Sequence, residues 1–279
     1  MNTLRHHYPE YAIEAAGLGI FMISASVVTA ALELPTSPIR QAIADPLLRR
    51  FLIGVAMGLT AIAIIYSPWG KRSGAHINPA VTLTFWRLKK IQTWDACFYI
   101  AAQCMGGLTG LWLASILLGG AIADPSVNYI VTIPGREGEL AAFLAELAIS
   151  FGLMTVVLNV SNHMRISQFT GICVGILVAT YITFEAPISG MSMNPARTLA
   201  SALPAQIWQA IWLYFIAPPL GMLLAAEVYL RQGRKKRQSE LCCKLCPNSE
   251  TPCISPVCCQ QGCGKILKLF CFLISGESL

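Results

Sequence analysis

The sequence predicts an all-α membrane protein of six transmembrane helices and two re-entrant half-helices arranged as an inverted repeat. Three observations carry that prediction. One string occurs twice, Ser73-Gly74-x-x-x-Asn78-Pro79-Ala80-x-Thr82-Leu83 and Ser189-Gly190-x-x-x-Asn194-Pro195-Ala196-x-Thr198-Leu199. Hydrophobic residues make up 55% of the chain and charged residues 12%, with a mean hydropathy of +0.58. A soluble domain carries about a quarter charged residues, so a soluble helical protein is a poor fit. The third observation is a set of six apolar runs long enough to cross a hydrocarbon core about 30 Å thick.

Those runs are Tyr11 to Leu32, Leu48 to Tyr66, Trp94 to Leu118, Glu139 to Val160, Gln168 to Phe184 and Ile207 to Leu230. The duplicated string falls outside them, in the connections after the second and the fifth. Asn-Pro at the end of a Gly-containing loop reads as a helix start, with Asn as the cap and Pro at the first helical position. Each copy leads into a run too short to cross, Ala80 to Trp86 before Arg87 and Ala196 to Ala202 before Pro204. A helix of roughly ten residues covers about 15 Å, half of the core. Such re-entrant backbone persists at membrane depth only where it is buried in protein or lines a water-filled cavity.

Each copy also holds three spans, an odd number, so the second copy enters the membrane upside down relative to the first. Glu14 in the first span and Glu146 in the fourth occupy matching places near the start of each half. An inverted repeat brings the two half-helices in from opposite sides, with their Asn-bearing N-termini meeting near the midplane. Two partial positive charges then face one another across a pore. The chain divides into an N-terminal segment 1–10, a first repeat 11–118, a connecting loop 119–138, a second repeat 139–230 and a tail 231–279.

Basic residues in short loops set the orientation. Arg5, Lys71, Arg72, Arg87, Lys89, Lys90, Arg165, Arg231, Arg234, Lys235, Lys236 and Arg237 lie on one side, and Arg40, Arg49, Arg50, Arg136 and Arg197 on the other. The excess places both termini in the cytoplasm of a plasma or inner membrane and the 119–138 loop outside. The polar segment Met1 to Glu10 does not fit a cleavable signal peptide.

Paired Asn-Pro-Ala loops, Ser-Gly-Ala-His before the first, Arg directly after the second and a membrane Glu opening each half resemble the aquaporin and aquaglyceroporin channels, the major intrinsic protein family. The resemblance runs from about Tyr11 to Leu230. It implies a right-handed helical bundle, a homotetramer with one pore per subunit, and passive flow of water or small neutral solutes without a cofactor.

The residues carry a matching chemistry. The side-chain amides of Asn78 and Asn194 donate hydrogen bonds to a passing oxygen, while the half-helix N-termini repel cations and let neutral molecules pass. Pro79, Ala80, Pro195 and Ala196 complete the two loops. Arg197, a charge inside the second re-entrant segment, is a functional-site residue by default, and the resemblance places it in the outer constriction. The same register puts Ile182 and Met191 in that constriction, together with Met57 or Gly58, because the loop from Ser67 to Arg72 is one residue longer than usual. Ile182 stands where strict water channels carry His. Thr198, Tyr214 and Phe215 instead match the water-channel branch more closely than the glycerol branch, so the filter and the branch markers disagree. Packing is a competing role for both methionines. His76 either relays protons or bonds loop carbonyls. Glu14 and Glu146 either form a proton path or, as the resemblance implies, accept hydrogen bonds from the re-entrant backbone.

The tail is a different matter. Eight of the 11 cysteines lie in it, after a basic run. Cys243-x-x-Cys246 has metal-ligand spacing and Cys259-x-x-x-Cys263 is looser, without an accompanying His. Zinc binding, lipidated cysteines and an extension with no site all remain open. No HExxH, GxSxG or carboxylate cluster occurs in the spans, so the reading is not an enzyme, and it has no nucleic-acid partner. A secondary transporter, which also uses inverted repeats and broken helices, is the rival of another class.

Overall fold

Pro and a capping side chain start four of the α-helices among the described residues. Asp45 accepts the N–H groups of Leu47 and Leu48 at 3.0 and 3.3 Å ahead of Pro46, Ser67 accepts that of Gly70 at 2.8 Å ahead of Pro68, and both Asn-Pro pairs follow the same rule. The computed structural model describes residues 2–163 and 165–232, with side chains from His7 onward. Six segments in it are long and apolar enough to cross a membrane. The helices of these spans are Asn2–Glu33, Pro46–Tyr66, Thr93–Leu118, Glu139–Ser161, Thr170–Phe184 and Ile211–Arg231. The Cys-rich tail, with Cys243, Cys246, Cys259 and Cys263, lies outside the described residues.

The two copies of the duplicated string become the short helices Pro79–Arg87 and Pro195–Ala205, of 9 and 11 residues. At 1.5 Å per residue they reach about 14 and 16 Å, so neither crosses a membrane. Arg87 closes the first with an ion pair to Glu227 of the sixth span, at 2.6 Å.

Two span boundaries differ from the apolar runs by more than two residues, each for a local reason. The first helix starts well before Tyr11, because its polar residues find partners on neighbouring elements. His7 Nδ1 lies 2.8 Å from Asp95 Oδ1, Tyr11 donates to the same oxygen, and Arg72 Nε donates to Glu10 at 2.9 Å. Polarity ended the apolar run there but not the helix. The sixth helix begins at Ile211 rather than Ile207, since Gln206 and Ala210 both have positive φ, 54° and 51°, and turn the chain between the second half-helix and the span.

The first span packs chiefly on the third, the second on the fifth and the fourth on the sixth. Bare backbone makes these crossings close. A Cβ on Gly58 would stand 2.4 Å from the Gly175 carbonyl oxygen, and one on Gly110 would stand 2.4 Å from that of Gly19. Small residues at helix crossings gain dispersion contact where the hydrophobic effect between lipid-bathed helices is absent. Large side chains such as Leu59, Trp112, Ile116, Leu140 and Phe184 cover the outside, exposed as a lipid-facing surface requires. The three pairs leave a central space, and the half-helices fill its middle.

Candidate functional site

The centre of the molecule is built twice from the same parts. In the first copy Gly74, Ala75 and Ile77 take positive φ, 88°, 47° and 41°; in the second Gly190, Met191 and Met193 take 81°, 49° and 51°. Non-glycine residues held in this region cost of order 1 kcal/mol each and need outside support. A buried carboxylate supplies it in each half. Glu14 accepts from Ser73 Oγ at 2.7 Å, from the N–H groups of His76 and Ile77 at 3.0 and 2.5 Å, and from Gln103 Nε2 at 2.8 Å. Glu146 accepts from Ser189 Oγ at 2.8 Å and from the N–H groups of Ser192 and Met193 at 2.6 and 2.7 Å. Tyrosines complete the match, Tyr99 donating to the Ser73 carbonyl at 2.8 Å and Tyr214 to that of Ser189 at 2.5 Å.

These clamps turn the loops so that the asparagines meet. Asn78 Oδ1 accepts the Ala80 N–H at 2.8 Å, and Asn194 Oδ1 accepts those of Ala196 and Arg197 at 3.0 and 3.2 Å, so each asparagine caps its half-helix. The amide nitrogens reach across the repeat boundary. Asn78 Nδ2 donates to the Met193 carbonyl at 2.7 Å, and Asn194 Nδ2 donates to the Ile77 carbonyl at 2.8 Å. A primary amide has two N–H bonds, so one donor on each asparagine remains for another acceptor.

Both asparagines line a cavity of about 470 Å³. Arg50 and Val131 lie on its wall near the end where the second span begins, and Ser161 and Thr170 near the opposite end. Met57, Ile182, Met191 and Arg197 all face it, as does His76. Gly58 does not; its Cα is pressed against Gly175 at the crossing of the second and fifth spans. Of the two candidate positions on the second span, Met57 is therefore the one on the wall. His76 Nδ1 lies 3.1 Å from Thr82 Oγ1, and its ring stacks on Phe85 with centroids 4.9 Å apart. Ser192 and Thr198 form the matching pair in the second half.

Arg197 is held at the N-terminus of the second half-helix with its Nη1 buried and without a hydrogen-bond partner among the described residues. The lining is otherwise largely apolar and, among the described residues, contains no Asp or Glu. Such a surface offers hydrogen-bond donors at a few fixed points along a greasy wall. It suits an uncharged molecule that gives up part of its hydration and replaces it at those points.

Several wall residues escaped the sequence reading. Arg50, Ile53, Ala61 and Ile65 recur at helical spacing on the second span and share the face that carries Met57. Their spacing was a usable signal, since residues three and four apart lie on one side of a helix. Val127, Ile130 and Val131 come from the 119–138 connection, which folds inward onto the cavity. Loop sequence carries no periodicity from which that fold could be read.

The family model described as Major intrinsic protein matches residues 9–229. Aquaporin NIP6-1 from Arabidopsis thaliana is 39% identical over 181 residues, which are 64% of this chain and 57% of the relative. Aquaporin NIP2-2 from Zea mays is 37% identical over 176 residues, 63% of this chain and 58% of the relative. The chain thus spans less than two thirds of the length of these relatives. A solved structure, the aquaglyceroporin from Plasmodium falciparum, superposes with a TM-score of 0.68 at 21% identity, covering 80% of this chain and 95% of that one. At that identity the likeness concerns the fold.

Proposed function

The chain belongs to the major intrinsic protein family, and we propose that it is a passive channel for water and small neutral solutes that excludes protons and other ions. The observation that carries this reading is the pair of capped half-helices whose asparagines, Asn78 and Asn194, meet on the wall of one cavity. Each half-helix N-terminus acts as roughly half a positive charge, and the two ends converge. A cation arriving there meets repulsion from both, with Arg197 adding a whole charge nearby. A neutral molecule meets only donors, the free N–H of each asparagine and the guanidinium.

Met57, Ile182, Met191 and Arg197 form the selectivity filter in this reading. Ile182 and the two methionines give it an apolar wall, which favours molecules with a carbon edge over a filter restricted to water. Thr198 and Tyr214 weigh less toward the water-only branch than their identities alone suggest, because both have positions in the scaffold. Thr198 shares hydrogen bonds with Thr132 and Ser192, and Tyr214 anchors the second loop as Tyr99 anchors the first. Membership of the water branch is accordingly weaker than the reading of a channel with a mixed permeant range.

The functional unit is a homotetramer with one pore in each subunit, both termini in the cytoplasm and the 119–138 connection outside. Stopped-flow light scattering on proteoliposomes tests the function, first with sucrose and then with glycerol as the osmolyte. Vesicles with inserted protein should shrink faster than empty ones in sucrose, with a low activation energy, and re-swell in glycerol. Equal shrinkage rates with and without protein overturn the channel, and saturable or ion-coupled flux replaces it with a carrier.

A further inference from the structure

We propose that Arg50 is a second guanidinium station of the channel, engaging the oxygens of small polyhydroxylated neutral solutes at the mouth before they reach Arg197. The inference deepens the channel reading and rests on it.

Arg49 and Arg50 are adjacent in the first turn of the second span, yet they have different surroundings. Arg49 is fully engaged: it donates to the Glu33 carboxylate at 3.2 Å and to the carbonyls of Ile43 and Ala44 at 2.8 Å each. Arg50 lies one residue on, about 100° round the helix, and this turn puts it on the cavity wall. Its Nε is buried with no hydrogen-bond partner among the described residues. The nearby carboxylate of Glu33 is shared by Arg49 and Arg40, at 3.2 and 3.8 Å. Arg50 is thus a charge turned toward the lumen beside a neighbour that performs the structural work.

An ionisable side chain that lines a cavity inside a membrane protein is a functional-site residue by default. Arg197 is in the same condition, with Nη1 buried and without a hydrogen-bond partner among the described residues. Along the second span Arg50 stands seven residues from Met57, about 10 Å at 1.5 Å per residue. The two arginines therefore flank the outer part of the lumen, and apolar Ile53, Val131 and Ile182 lie on the same wall.

The chemistry of this set selects the ligand. Guanidinium groups donate and never accept, and among the described residues no carboxylate lines the cavity, so amines and metal cations are disfavoured. A molecule with several acceptor oxygens on one edge and carbons on the other matches donors set against an aliphatic wall. Small polyols have that form. Water depends less on the second station, because its single oxygen can bond to only one station at a time.

The test measures the ratio of glycerol to water permeability in proteoliposomes of the full chain, for the wild type, Arg50→Met and Arg50→Lys. Arg50→Met should lower the ratio about tenfold, the size of one charge-assisted hydrogen bond lost from the entry step. Arg50→Lys, which keeps the charge but not the planar fork, should fall between the two. If Arg50→Met does not insert, the lysine variant alone decides, and a wild-type ratio there overturns the proposal. An unchanged ratio in Arg50→Met, or a wild type that passes water and no glycerol, overturns it while leaving the water channel standing. Inhibition of flow by sulfate that is relieved in Arg50→Met, with the ratio unchanged, replaces it with an anion site. A wild type that passes neither water nor glycerol removes the channel reading and this inference together.

Discussion

Asn78 donates its side-chain amide to the carbonyl of Met193 at 2.7 Å, so the two halves of the chain are bonded to each other at the point where their half-helices meet. Asn194 returns the bond to Ile77 at 2.8 Å. Each asparagine does three things with one side chain: its oxygen caps a helix, one N–H joins the repeats, and the other faces the lumen's contents. This economy explains why Asp, Ser and Thr do not suit the position. Asp has no donor, and Ser or Thr has only one.

The carboxylates behind the loops are predicted to be worth more to stability than to flow. Glu146→Ala leaves the hydroxyl of Ser189 and the N–H groups of Ser192 and Met193 without their acceptor. A buried donor left unpaired costs about 1–3 kcal/mol, and the positive φ of Met191 and Met193 loses its support. Thermal unfolding of the detergent-purified protein should fall sharply for this variant and less for Glu146→Gln, which retains one acceptor. An unchanged midpoint would mean that the loop is held elsewhere.

Arg197→Val should insert normally and leak cations or protons. A whole charge is removed from the cavity wall, while the partial charges of the half-helices remain. A rise of at least about tenfold in proton flux, read with a pH-sensitive dye inside vesicles, is the expected outcome. Leak at the wild-type level would assign exclusion to the half-helix field alone.

A pH dependence of stability should trace to Glu185, just beyond the end of the fifth span. Its side chain is buried. Burial raises its pKa from the ordinary 4.5 to about 7; the nearby Ser189 hydroxyl opposes that rise and the charge of Glu146 adds to it. Between those two values the folded protein holds a proton that the unfolded chain has released, so stability falls as pH rises through the window. The loss is complete near pH 7 and amounts to about 3 kcal/mol at most. Glu185→Gln should match the wild type near pH 4.5, exceed it above pH 7 and show a flatter profile between, as measured by thermal unfolding in detergent. Parallel profiles would mean that Glu185 is solvated in the folded protein.

Truncation after Gln232 should leave assembly and permeability intact. The sixth span ends at Arg231, and among the described residues every one on the cavity wall precedes it. Size-exclusion chromatography and stopped-flow measurements on the shortened chain check this. Loss of either property would make the basic, Cys-rich tail part of the working channel.

The repeat explains why so much of the centre was legible in the sequence. Glu14 and Glu146, the Asn-Pro pairs and the Gly-containing loops recur in parallel, so each half checked the reading of the other. Residues that occur in only one half had no such check. Arg50 registered only as one of several basic residues used for orientation, because its partner-free state depends on the rotation of one helix about its axis and on Arg49 taking Glu33. The choice between Met57 and Gly58 turned on an extra loop residue. In the structure the chain from Pro68 to Ser73 coils into a helical turn, capped by Ser67, and the Gly58–Gly175 contact sets the rotation of the span. The polar start of the first helix was hidden for a related reason, since its partners Arg72 and Asp95 are distant in sequence.

Ile182→His should convert a mixed filter into one closer to water-only. Ile182 shares the lumen wall with Met57, Met191 and Arg197, and its branched side chain offers a carbon edge something to lie against while Arg197 bonds a hydroxyl. An imidazole there adds polar nitrogens that water satisfies cheaply, whereas a polyol must leave its carbons against them. Discrimination between solutes differing by such a contact amounts to about 1–3 kcal/mol, so glycerol flux should drop at least about tenfold relative to water. The ratio is read in the same vesicles with sucrose and glycerol gradients. If the wild type already treats glycerol as impermeant, the apolar wall is too narrow for a carbon backbone, and Met57 and Met191 become the obstruction. Met191→Ala, which removes the bulk and leaves Arg197 in place, should then admit glycerol.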